Sequence, residues 1–323
     1  MIKSALRNVF VAALAVLPFA SALAQDYPNR AVKILVPYAA GGAPDSVARI
    51  IAQRISETMG QQFVIENRPG AGGIGASVAV AQALPDGYTL MLAESTQVSL
   101  NPFLFSKLPY DPVKDFAPVS LIARAPVFLL AHPSANINSV SELIAAAKAR
   151  PGQLNYASSG IGSIHHIGME VFRVALGLDI VHVPFKGAGQ SVPAFLGGGL
   201  NLLVAAGQSI DQHVAAGKAK YLVAFAESRA ASAPNVPAAA EFVPGYDFTS
   251  QMGIVAPAGT PTAIVSRLSA EIAKATKHPE TLRRLAGAGL EPVGSTPAAY
   301  AEAIHRNLEK FAAAVRISGA KSD

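Results

Sequence analysis

The chain has 323 residues, 51% of them hydrophobic, with 26 Lys and Arg against 21 Asp and Glu and no cysteine. The missing thiol excludes a disulfide framework, a zinc–thiolate centre, a cysteine nucleophile and a lipid-anchored cysteine together. The mild basic excess has no Lys/Arg stripe interleaved with aromatics, so it argues against a nucleic-acid partner and leaves only a bias toward anionic solutes.

Residues 1–24 carry the three parts of an export signal: Lys3 and Arg7, the apolar run VFVAALAVLPFA, and the small-x-small end Ala22-Leu23-Ala24. Pro18 interrupts the run, which is shorter than the about 20 apolar residues that a permanent membrane anchor needs. A cleavable signal peptide, export and release are expected, with 24 Lys and Arg against 21 Asp and Glu remaining. The roughly 300 residues that follow exceed one ordinary domain and predict two lobes.

The mature part opens with a strand at AVKILVPY, then AAGGAPD, then a helix over 45–59 on which Val47, Ile50, Ile51 and Ile55 recur at helical spacing before Gly60. A strand QFVIEN, a glycine stretch, a small-residue helix over 74–83, a PDG turn and a strand YTLMLAE follow. This βαβαβ order predicts a mostly parallel sheet with helices on both faces. Residues 101–118 are Pro-rich and lack periodicity. Beyond them come a strand at PVFLLAHP, a helix over 139–150 capped by Ser139 with Glu142 three places on, a strand LNYASS and a helix over 163–176 closed by Gly177. The order continues with strands DIVHVPF, NLLVAA and AKYLVAFA around a short helix over 190–196. An irregular segment over 228–248 precedes a strand SQMGIVAPAG, a helix over 261–276, a basic helical piece PETLRRLAGAG and a last helix over 297–316. If the two irregular segments flank crossings, the first lobe comprises 25–124 with 248–323 and the second 125–247.

In RPGAGGIGA, Gly70, Gly72 and Gly75 spell G-x-G-x-x-G, with Glu94 nineteen positions on. That is the spelling of a dinucleotide cradle. The fingerprint belongs in the first βα turn, however, whereas this one follows the second strand, and Pro69 stiffens its start. An exported chain also meets no supply of nicotinamide cofactor. A turn that needs positive φ and close backbone approach is the favoured reading, and no cofactor is expected.

The first βα turn, VPYAAGGAPD, is a better ligand site. Tyr38 offers a ring with a hydroxyl, and Ala39 to Ala43, including Ala40, Gly41 and Gly42, expose backbone N–H groups at a helix start, which favours a carboxylate or phosphate. Asp45 reads as a helix cap; a plain crossover turn fits the same letters. The arrangement recurs in NYASSGIGSIHH, where Ser158, Ser159, Gly160 and Ser163 lead into a helix carrying His165 and His166, and PFKGAGQS adds Lys186. Two helix starts at the carboxyl ends of strands would hold an anion at both ends, where open α/β sheets bind ligands.

The segments VPYAAGGAPD, ENRPGAGGIGA, PDGYTLML, NYASSG, HVPFKG and PAFLGGG, in this order, resemble the solute receptors of tripartite tricarboxylate transporters, the TctC or Bug type. The resemblance covers nearly the whole mature chain. It implies a type II-like, two-lobed periplasmic binding protein that closes on a small carboxylate and delivers it to membrane permease subunits, with no enzymatic activity, no metal and a monomeric state. It assigns the RPGAGG segment to the scaffold. Carried over, the ligand loops fall on Tyr38 to Asp45 and Ser158 to Ser163, and the turn after the fourth strand on Ser95, Thr96 and Gln97; Lys186 with Gly187, and Gln208, stand at the rim. An exported serine hydrolase using Ser158, Ser159 or Ser163 with a histidine is the alternative, though the chain lacks a G-x-S-x-G elbow. A metal site at His165, His166 and His182 is a third reading, opposed by the divergence of adjacent side chains on a helix.

Overall fold

The structure is a computed structural model and describes residues 27–321. The expected signal peptide at 1–24 lies outside them. Two sheets form the frame. The first has the order β11 (Glu291–Pro292), β4 (Phe116–Ala125), β10 (Ser250–Pro257), β3 (Thr89–Glu94), β1 (Val32–Val36), β2 (Phe63–Asn67); the second has the order β7 (Ile180–Pro184), β6 (Leu154–Ser158), β8 (Leu202–Ala206), β5 (Val127–Ala131), β9 (Lys220–Ala224). Four of the six strands in the first sheet and four of the five in the second point the same way; β10 and β11, and β5, run against them. The molecule is an α/β protein of two lobes, each a largely co-directional sheet flanked by helices.

Both faces of each sheet are buried, which explains why the strands read as near-continuous apolar runs. In β3, Leu90 and Leu92 pack with helices α1 (Ala43–Met59) and α8 (Thr262–Lys277), while Met91 and Ala93 pack on the other face with α2 (Ile74–Ala81) and α10 (Pro297–Ser318). In β5, Val127 and Leu129 face one core and Phe128 and Leu130 the other. The α1 helix forms because Val47, Ile51 and Ile55 fall on one buried stripe, and it ends at Gly60, whose left-handed φ of 72° lets its N–H reach Ser56 O. Ser139 caps α4 (Val140–Ala149), as its spacing to Glu142 predicts. The remaining helices are α3 (Asn101–Leu104), α5 (Ile164–Ala175), α6 (Ala188–Leu196), α7 (Asp211–Ala215) and α9 (Pro279–Gly287).

Two expectations fail in the stretch after β3. Thr96–Leu100 is a π-helical turn that continues into α3, and 116–125 is a ten-residue strand, although the sequence shows one strand in this region, at PVFLLAHP. Because β4 and β5 are both buried and separated only by Pro126, they merge into one apolar run. Pro118, which suggests a loop, is tolerated where the pairing with β10 shifts register. The last helix joins the lobes: Tyr300 and Ile304 pack in the first lobe, while Phe311, Ala314 and Val315 pack in the core of the second.

Candidate functional site

The connectivity sets the carboxyl edges of the two sheets against each other. The C-terminal end of β4, which is parallel to β1 and β3, runs through Pro126 into the start of β5, which is antiparallel to β8 and thus begins beside the carboxyl ends of β6 and β8. Both predicted ligand loops leave these edges. Contact across the gap is direct: with its amide oriented to satisfy both neighbours, Gln208 after β8 accepts from Ala43 N at 3.1 Å and donates to Ala288 O at 2.9 Å.

The first loop runs from Pro37 to Gly42, with Ala39, Ala40, Gly41 and Gly42 exposed. Gly42, not Asp45, is the N-cap of α1; Asp45 is the third helical residue and is buried. Its carboxylate accepts from Gly41 N (2.9 Å), Arg49 Nε (2.9 Å) and Asn67 Nδ2 (2.9 Å), and Asn67 also donates to Tyr38 O. Burial opposes its ionisation, but the hydrogen bonds from Arg49, Gly41 and Asn67 outweigh it and hold the carboxyl below its ordinary range. Asp45 therefore neutralises itself against the scaffold and leaves the rest of the loop uncharged.

Ser95, Thr96 and Gln97 follow the third strand rather than a fourth, and they form no open turn. Gln97 is buried, accepts from Glu94 N at 2.9 Å, and donates to Gly72 O at 3.0 Å and to Tyr38 Oη at 3.2 Å. It braces the tyrosine and the glycine stretch. The Tyr38 hydroxyl donates to Glu94 Oε2 and titrates well above its ordinary value, through burial and then the Glu94 charge. The glycine stretch is packed as scaffold: a Cβ on Gly73 would lie 2.7 Å from Gln97 Nε2 and from Pro37 Cβ, whereas one on Gly75 would meet nothing within 4 Å. The third glycine of the apparent fingerprint is thus sterically unnecessary.

The second loop hangs on histidines. Ser158 is buried with its Oγ 2.7 Å from His182 Nε2, and it accepts from Gly160 N at 3.1 Å; Ser159 Oγ lies 2.7 Å from His165 Nδ1. Ser163 caps α5 by accepting from His166 N and donates to Gly160 O at 2.7 Å. Gly162 N donates to His166 Nδ1 at 3.2 Å, which places that ring's proton on Nε2. The His166 ring stacks on His182 (4.1 Å between centroids), which stacks on Tyr156 (4.7 Å). Burial pulls His165 and His182 down to about 4, and His166 down as well. All three act as neutral partners of the loop. Among the described residues no group of three His, Cys, Asp or Glu is placed to hold a metal ion.

Of the predicted site residues, the structure gathers Tyr38, Thr96 and Gln97 around Glu94, and Ser158, Ser159, Gly160, Ser163 and His165 into the second loop. Gln208 sits against the start of α1. Lys186 is exposed, its backbone N–H donating to Gln190 Oε1. Sequence reasoning missed Ser250, whose hydroxyl donates to Glu94 Oε1, and the loop-holding roles of His166 and His182. The signal for Glu94 was its place at the carboxyl end of a strand, beside the tyrosine loop; for Ser250 no sequence signal exists, because it is brought 156 positions along the chain.

Such a pair of lobes, with loops at facing carboxyl edges, defines a solute-binding protein of periplasmic type. The profile of the tripartite tricarboxylate transporter family receptor matches residues 47–319. BugT of Bordetella pertussis is 32% identical over 300 residues, covering 92% of each chain. Among solved structures, R. palustris Rpa4515 with adipate superposes with a TM-score of 0.83 at 33% identity, covering 92% of this chain and 99% of that one. MatC of R. palustris with bound malate gives 0.77 at 33% identity over 90% of this chain and all of that one. The chain belongs to the tripartite tricarboxylate transporter receptor family, a family of periplasmic solute-binding receptors.

Proposed function

We propose that this receptor captures a small mono- or dicarboxylate between its lobes and delivers it to the membrane permease subunits of a tripartite tricarboxylate transporter, acting as a monomer without catalysis. The observation that carries the reading is the pair of helix starts, at Gly42 and at Ser163, each following a strand at the facing carboxyl edges of the two sheets. Exposed N–H groups at a helix start favour a negative group. Relatives solved with adipate and malate support the ligand class. The lobes are taken as 25–124 with 248–323 and 125–247, a division supported by the Pro126 crossing and by the return of the chain from β9 to β10. The ligand-contacting set is taken as the two loops with Tyr38, Thr96, Ser159 and Gln208.

Aliphatic, hydroxylated and aromatic carboxylates are to be compared by thermal shift. A bound acid at a hundred times its Kd stabilises the fold by about 2.7 kcal/mol. A response to sugars alone, with none to any acid, overturns the reading. Ser159→Ala is expected to weaken a bound acid by about 1 kcal/mol or more if the hydroxyl pairs with the charged solute, and calorimetry that finds unchanged affinity removes Ser159 from the site.

The hydrolase alternative has two observations in its favour, the 2.7 Å contacts of Ser158 with His182 and of Ser159 with His165, the second also without a carboxylate hydrogen-bonded to the ring among the described residues. Against it, Ser158 is buried, its oxygen already accepts from Gly160 N, and among the described residues no carboxylate hydrogen-bonds His182 to orient it. Turnover of small esters that disappears in Ser158→Ala would favour the hydrolase.

A further inference from the structure

Among the described residues, Glu94 is an acidic side chain beside the first loop with no ion-pair partner. It ends β3, where the carboxyl ends of β1 and β3 meet the start of β10, and it is half-buried. Tyr38 Oη donates to one of its oxygens and Ser250 Oγ to the other. Its backbone N–H is held by Gln97. Among the described residues the ion pairs leave Glu94 out, in contrast to Asp45, which faces Arg49, and Glu170, which faces Arg173.

Two neutral hydroxyls do not exhaust a carboxylate. Its two oxygens offer about four lone-pair directions, so about two remain for a further donor. A partly dehydrated charge without a cation is unfavourable until a donor reaches it. The same charge repels a ligand carboxylate brought beside it. The site therefore makes two opposite demands: the helix starts favour an anionic end, and Glu94 favours a group that gives a hydrogen bond.

Resting on the carboxylate reading above, we propose that Glu94 determines specificity by selecting acids that carry a hydroxyl or ammonium group beside the carboxylate over unsubstituted acids of the same length. The donor points at Glu94 while the acid lies on the helix starts. Exchange of one hydrogen for a donor on the ligand supplies the missing partner without adding length.

The test is calorimetry of the wild-type protein with matched sets at four, five and six carbons: succinate, malate and aspartate; glutarate, 2-hydroxyglutarate and glutamate; adipate, 2-hydroxyadipate and 2-aminoadipate. In the length that binds, the hydroxy or amino acid is expected to bind at least tenfold more tightly than its unsubstituted partner. Whichever of the two binds better distinguishes hydroxyl from ammonium. Glu94→Gln is expected to shrink that ratio severalfold and to raise affinity for the unsubstituted acid. Equal or tighter binding of the unsubstituted acids by the wild type overturns the role of Glu94 while leaving the carboxylate reading intact, and so does a ratio unchanged in Glu94→Gln. Binding by none of the nine overturns the role of Glu94, and the carboxylate reading falls with it only when the aromatic and monocarboxylic acids of the thermal-shift comparison fail as well. The wild-type ranking decides the matter even if the variant does not fold.

Discussion

Gly73→Ala is expected to destabilise the protein by about 3 kcal/mol, combining a left-handed backbone that alanine resists with overpacking against rigid neighbours. Gly73 has φ of 81°, and the added methyl would sit 2.7 Å from Pro37 Cβ and Gln97 Nε2. Both neighbours belong to the support of the first loop, because Pro37 leads into it and Gln97 holds Tyr38. Ligand affinity should fall with stability. Gly75→Ala, two residues on, is expected to stay within about 1 kcal/mol of the wild type or to gain stability, since alanine suits a helix better than glycine. Denaturant titration of the two variants separates scaffold from fingerprint: a nucleotide cradle needs its third glycine, Gly75, and a packed scaffold needs Gly73. Greater damage from Gly75→Ala would reverse the assignment.

Acid should loosen the second loop. His165 and His182 titrate near 4 in the folded protein because burial disfavours their charged form, with the neighbouring His166 adding to the effect at His182. Unfolded histidine titrates at about 6.5. The folded values lie below the unfolded ones, so between about pH 6.5 and 4 the unfolded chain binds more protons. Stability from these groups is complete above about pH 6.5, falls as pH drops through this window, and levels off below about 4. His165 is worth on the order of 2–3 kcal/mol across the whole window, and His182, which water screens in part, less. The groups facing the stacked rings are Tyr156 and the Glu170–Arg173 pair, and Glu170 is itself held below its ordinary range: burial opposes ionisation but bonds from Arg173 and Tyr156 prevail. Proton uptake by His166 also removes the Nδ1 lone pair that accepts Gly162 N–H, so ligand affinity should weaken with stability. Urea midpoints measured from pH 7.5 to 4.5 on the wild type and on His165→Gln/His182→Gln check this. A double variant that keeps the full acid loss would place its origin elsewhere.

Most elements are readable from the chain because each helix carries its own stripe and its own end signals. Ser139 with Glu142, Ser163 before α5 and Gly60 after α1 mark termini by local hydrogen bonding, which depends on neighbours within four residues. β4 is hidden for the opposite reason. Its two faces are both buried by distant helices, so no alternation separates it from β5, and its proline is excused only by a register shift against β10. The turn expected at 95–97 fails similarly: the polar letters of Gln97 suggest an open loop, yet its amide is consumed by Gly72, Tyr38 and Glu94 from three other segments.

By itself the sequence determined the α/β alternation, the two glycine-bearing helix starts, the caps and the family resemblance, since all of these rest on residues close together in the chain. Only the tertiary structure decided what each polar group does. It set the carboxyl edges of the sheets against each other through a one-residue crossing, turned Asp45 inward to Asn67, stacked three rings beneath the second loop, and brought Ser250 to Glu94. Hydrogen bonding and charge depend on what is near in space, and a side chain whose partner lies 156 residues away carries no local trace of it.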